Sequence, residues 1–167
     1  MYDNRIEVTD LDAVRLRTMV AGVLARFGPD RRAAEELRRE LDRANVVPSL
    51  HVDPRVVTMH SRVRLRDEVT GGALEYLLVY PQHADLASGR LSVLAPIGTA
   101  ILGYREGDLV AWDVPAGTRR FRIEKVLHQP EAAGQDHVKT FLTRSDVRES
   151  PARRPFPLAG RPHPATG

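Results

Sequence analysis

Apolar residues in the first quarter of the chain recur at spacings of three and four. Ala13, Leu16, Val20, Val23 and Phe27 form one such series, and Ala34, Leu37, Leu41 and Ala44 form a second. Each is a narrow heptad seam, with Arg31, Arg32, Glu35, Glu36, Arg38, Arg39 and Glu40 on the remaining faces of the second, a pattern that pairs one helix lengthwise with another. Thr9 followed by Asp12 reads as a capping box, and Phe27-Gly28-Pro29-Asp30 interrupts the rhythm, Gly28 ending one helix and Asp30 capping the next. Two helices of about 16 residues joined by so short a break run antiparallel, each roughly 24 Å long. Asn45–Arg55, holding Pro48 and Pro54, reads as a linker. Beyond it the period falls to two. Val63 and Leu65 alternate with Arg62, Arg64 and Arg66; Leu74, Tyr76, Leu78 and Tyr80 with Glu75, Leu77 and Val79; and Phe121 and Ile123 with Arg122 and Glu124. Leu91–Leu94 and Leu109–Val114 add two strands, Gly71-Gly72 and Ala116-Gly117 supply hairpin turns, and Ile97–Gly103 forms one short helix closed by Gly103. The pattern predicts an α+β protein: an N-terminal antiparallel two-helix hairpin over residues 1–50, an antiparallel five-stranded sheet domain with one short helix over 51–147, and a tail over 148–167. The tail, with its repeated prolines, is expected to be disordered.

Charge sharpens this division. Residues 1–50 carry nine basic and nine acidic groups and residues 51–147 carry twelve of each, so the net +3 of the 167-residue chain comes from Arg148, Arg153, Arg154 and Arg161 against Glu149. A balanced body weakens the case for a phosphate-gripping folded face, and no strong direct DNA binding by the body is expected. Apolar runs such as Leu77–Tyr80 fall far short of the roughly 20 residues of a membrane span. The start MYDNRIEVTD has no apolar stretch of a signal peptide. With no cysteine, thiolate catalysis, disulfides and cysteine-held metals are excluded together, and a cytoplasmic location is expected.

Catalytic constellations are missing. The six histidines, at 51, 60, 83, 128, 137 and 163, show neither H-x-x-H nor H-E-x-x-H spacing. His51 with Asp53 reads as a solvated turn before it reads as a ligand pair. No serine sits in G-x-S-x-G, and no glycine cluster forms a phosphate loop. Trp112 alternates with Ala111 and Asp113 and is expected in the core, a pocket floor being the alternative. The sequence thus predicts no enzyme, no cofactor and no metal site.

Gly89-Arg90-Leu91-Ser92-Val93-Leu94-Ala95-Pro96-Ile97-Gly98-Thr99-Ala100-Ile101-Leu102-Gly103-Tyr104-Arg105-Glu106-Gly107-Asp108 resembles the core of the C-terminal domain of the Gre transcript cleavage factors and their relative Rnk, a regulator of nucleoside diphosphate kinase. The resemblance continues into Trp112–Gln129. Val57–Val63 and Tyr76–Pro81 look especially like the Rnk branch. It covers residues 56–130 and implies a coiled coil ahead of an FKBP-like domain, and a ligand of bacterial RNA polymerase at the rim of the secondary channel, where it competes with cleavage factors; a monomer is expected, since pairing the two arms within one chain costs less entropy than dimerising through an exposed seam. The docking turn it implies is Leu94, Ala95 and Pro96, continued by Ile97 and Gly98. Leu94 and Ala95 depart from the polar turn of the cleavage factors. At the coiled-coil tip, Arg26, Phe27, Gly28, Pro29, Asp30 and Arg31 offer one acid where the cleavage factors place a nearby Asp and Glu that help hold magnesium. The resemblance therefore implies a transcription inhibitor that does not stimulate cleavage. An effect on nucleoside diphosphate kinase is the alternative. Prolyl isomerase activity would need a pocket better furnished than nine aromatic residues allow.

Overall fold

The computed structural model describes residues 5–114 and 117–134; the rest of the second unit and the tail lie outside the described residues. The elements are β1 (Glu7–Thr9), α1 (Asp10–Leu24), α2 (Arg31–Arg43), β2 (Asn45–Val47), β3 (Arg62–Asp67), β4 (Ala73–Val79), β5 (Arg90–Ser92), α3 (Pro96–Ile101), β6 (Leu109–Val114) and β7 (Gly117–His128). The architecture is α+β, with two helices ahead of a sheet.

The buried residues of the two long helices fall on the expected seams: Ala13, Leu16 and Val20 on α1, and Ala34, Leu37 and Leu41 on α2. Arg17 donates to the Leu41 carbonyl at 3.1 Å and Arg31 to the Leu24 carbonyl at 2.8 Å, which sets the helices antiparallel. Thr9 caps α1, its Oγ1 accepting the Asp12 N–H at 3.1 Å. The Asp12 side chain is buried, and its Oδ2 accepts the N–H of Met59 at 3.0 Å, tying the hairpin to the sheet unit. At the tip, α1 ends at Leu24 with Ala25 as its cap, ahead of the expected stop at Gly28, and the Arg31 guanidinium satisfies the Leu24 carbonyl left free there. Asp30 holds the cap position of α2 but makes no side-chain capping bond; its own backbone is already helical, which turns the carboxylate away from the free N–H groups.

The sheet order is β5-β4-β3-β7-β6. The antiparallel expectation is corrected at one edge, where β5 runs parallel to β4 with Leu78 opposite Leu91. Pro81 opens a 3-10 turn directly after β4, and a second such turn at Leu86–Ser88 leads to Gly89 at φ 73, so the chain crosses back and re-enters in the same direction instead of folding as a hairpin. The segment read as a linker is also partly ordered into strand: β2 pairs parallel with β1, Val8 opposite Val46. The foot of the hairpin is thereby closed. It is fastened to the sheet unit by the Glu7 N–H donating to the Gly103 carbonyl at 3.0 Å and by Arg105, which bridges Glu7 and Asp53. One continuous core results, running from Leu16 and Leu37 through Ile6, Met59 and Leu102 to Leu65 and Ile123.

Candidate functional site

The turn before α3 is built by hydrogen bonds that its sequence dictates. The Ala95 N–H donates to the Ser92 carbonyl at 3.0 Å, the Leu94 N–H to Ser92 Oγ at 3.1 Å, and Thr99 Oγ1 to the Val93 carbonyl at 2.7 Å. Pro96 occupies the first turn of α3, where no N–H is required and its fixed φ starts the helix. Of the five residues expected to dock, Leu94 and Gly98 are buried, Ala95 and Ile97 half-buried, and Pro96 exposed. Gly98 presses on the chain so closely that a Cβ there would lie 2.0 Å from the Ser92 carbonyl oxygen. Leu94 and Gly98 thus hold the turn in place, while Pro96 and the edges of Ala95 and Ile97 are presented outward.

The six tip residues are all exposed, and Phe27 is 101% exposed. Arg31 pairs with Glu35 at 3.4 Å and Arg32 with Glu36 at 3.2 Å. The two carboxylates nearest Asp30 along α2 are therefore each held against an arginine. Among the described residues, no group of three His, Asp or Glu side chains gathers to hold a metal ion.

Nothing in the spacing of the residues indicates that the tip and the turn border one cleft. A cleft of about 890 Å³ separates α2 from α3 and β6. Pro29, Arg32, Ala33, Glu36 and Glu40 form one wall; Leu94, Pro96, Thr99, Ala100 and Tyr104 form the other, with Leu109–Trp112 below. Trp112, expected in the core, is half-buried: its ring stacks on Phe121 at 4.6 Å between centroids, and it also lines the cleft. The signal that could have found this cleft is the pairing of small residues, Ala33 and Ala100, at facing positions of α2 and α3.

Asp53 is bound by Arg55 at 2.9 Å and by Arg105 at 2.9 Å, so it is committed to structure and not to a ligand pair with His51. The hydrogen bond from the Arg55 side chain first, then the Arg55 N–H and the charge of Arg105, hold its carboxyl well below the usual carboxylate range. A depressed folded pKa stabilises the fold above the unfolded value near 4, and this contribution is lost as pH falls below that value. The urea midpoint is expected to drop below about pH 4, and Asp53→Asn to make that drop shallower. A variant whose acid limb superimposes on the parent's would contradict it.

The five-stranded domain with its rigid proline turn defines the class. Residues 52–128 match the family model for the transcription elongation factor GreA/GreB C-terminal domain, and residues 4–47 match the model for the Rnk N-terminus. The chain belongs to the Rnk branch of the Gre family. It is 37% identical over 130 residues to the regulator of nucleoside diphosphate kinase of Escherichia coli (strain K12), which covers 77% of this chain and 93% of that relative. GreA of Christiangramia forsetii is 36% identical over 83 residues, 50% of this chain and 52% of that protein. Among solved structures, a prokaryotic transcription elongation factor GreA/GreB from Nitrosomonas europaea is 37% identical, with a TM-score of 0.62, covering 74% of this chain and 99% of its own. Among the described residues, no helix is long and apolar enough to cross a membrane.

Proposed function

We propose that the chain is a non-catalytic regulator that binds bacterial RNA polymerase at the rim of the secondary channel and lowers transcription without stimulating transcript cleavage. In this reading the hairpin is the family's coiled coil, the sheet unit its FKBP-like domain, and Pro96 with Ala95 and Ile97 the docking face, the protein acting as a monomer in the cytoplasm. The observation that carries the reading is the tip: among the described residues Asp30 is its one acid, with Glu35 and Glu36 engaged by Arg31 and Arg32. Holding a second magnesium calls for carboxylates converging within a few ångströms. Helices of 15 and 13 residues reach only about 22 and 20 Å, which suits an obstruction of the channel or competition for its rim. On a backtracked elongation complex the chain is expected to release no shortened transcript and to suppress the shortening caused by a cleavage factor. Shortened transcripts with the chain alone would overturn the reading. Pro96→Ala with Ile97→Asp should abolish the suppression while the circular dichroism of the fold is kept.

A second reading is favoured by the similarity over 93% of a relative named for its action on nucleoside diphosphate kinase. Titration into that purified kinase discriminates the two: a change in turnover favours the second.

A further inference from the structure

The balanced charge of the body conceals a division by face. On β3, Val63 and Leu65 are buried while Arg62, Arg64 and Arg66 point away from the core. On the adjoining β7, Phe121 and Ile123 are buried while Arg120, Arg122 and Lys125 are exposed. The register sets Arg64 opposite Lys125 and Arg66 opposite Arg122. Like charges directly opposite each other repel, and only neighbouring acids can offset that repulsion. The acids on this side answer only part of the charge. Glu75 takes Arg64 at 2.7 Å, Glu124 takes Arg66, and Glu68 takes Arg122 at 2.9 Å. Arg62, Arg120 and Lys125 have no acidic partner among the described residues.

We propose that this outer face of the sheet binds the phosphate backbone of duplex DNA without reading its sequence. Arginines two residues apart along β3 lie about 7 Å from one another, and about 4.8 Å away on β7 Lys125 and Arg122 stand opposite Arg64 and Arg66, with a register shift between them, giving a twisted cationic strip two strands wide. Single strands are bound by stacking bases on aromatic rings, and among the described residues this face offers only the His128 imidazole opposite Arg62 and no larger ring: Trp112 stacks on Phe121, and Tyr76 stands opposite the buried Val63. Backbone contact to a duplex needs cations alone. This differs from the expectation drawn from the sequence total, because the register of β3 on β7, which the sequence does not display, is what gathers the charges.

Three uncompensated cations correspond to a slope of about −2.7 in log K against log salt, a fall in affinity of about 40-fold between 50 and 200 mM. The test is anisotropy of a labelled 25-base-pair duplex with the full chain, no polymerase being present, so its outcome is separate from the reading above. Arg62→Glu with Arg120→Glu and Lys125→Glu should weaken binding at 50 mM salt by at least about tenfold and flatten the salt slope. Replacing Arg148, Arg153, Arg154 and Arg161 with Ser should weaken it less. If charge reversal unfolds the chain, Gln at the same three positions serves. The proposal is overturned if the duplex is not bound at micromolar concentration, if the tail variant alone loses binding, or if polyglutamate competes or a single strand of equal length binds as tightly.

Discussion

Gly98→Ala is expected to cost the fold about 3 kcal/mol or more, at the upper end of what overpacking does to a filled interior. The added Cβ meets backbone, not a side chain that could rotate: it would lie 2.0 Å from the Ser92 carbonyl oxygen, 2.9 Å from the Ser92 carbonyl carbon and 3.1 Å from the Val93 Cα. The same Ser92 carbonyl accepts the Ala95 N–H, so moving it aside opens the turn that presents Pro96. Stability and docking should fail together. The control is Gly28→Ala at the hairpin tip, where a new Cβ meets nothing within 4 Å and stability should change by less than about 0.5 kcal/mol. Urea unfolding of the three proteins checks it; Gly98→Ala within about 0.5 kcal/mol of the parent would contradict the packing described.

Gly103→Ala should cost about 3 kcal/mol by a different route. Gly103 has φ 77, which an L side chain adopts at a cost of about 1–2 kcal/mol, and its Cβ would lie 2.6 Å from the Ile6 Cβ and 2.8 Å from the Glu7 carbonyl oxygen. Gly103 also accepts the Glu7 N–H and donates to the Val57 carbonyl at 2.8 Å. The substitution therefore strikes the bond between hairpin foot and sheet unit. Hydrogen exchange at Glu7 should quicken more than exchange at Leu65 in the centre of the sheet. Equal protection at both in parent and variant would show that the foot is not fastened there.

These positions also show what the sequence makes legible. The helical hairpin is readable because each arm repeats one stripe, Ala13-Leu16-Val20 and Ala34-Leu37-Leu41, and the structure buries those residues. Strands β3 and β7 are readable because buried and exposed residues alternate along them. The ribbon of β1 and β2 is not, since three residues carry no period and its pairing joins positions nearly forty residues apart. The parallel β5 is hidden for a related reason: alternation tells which face a side chain takes, not which way a neighbour runs. At the candidate site, the resemblance marked the turn at Pro96 and the tip at Phe27–Asp30, but not the cleft between them. That cleft is made by the exposed face of α2, whose charged residues Arg32, Glu36 and Glu40 look like any solvated helix surface until α3 is seen opposite. Phe27 continues the α1 stripe by spacing yet lies past the helix end, where nothing covers it.

Equilibrium binding of the full chain to core RNA polymerase, with and without excess cleavage factor, distinguishes a ligand of the channel rim from a protein that acts elsewhere. Binding is expected to be saturable, to be displaced by the cleavage factor and to be removed by Pro96→Ala with Ile97→Asp. No binding at micromolar concentration, or binding that persists unchanged under saturating cleavage factor, would contradict it.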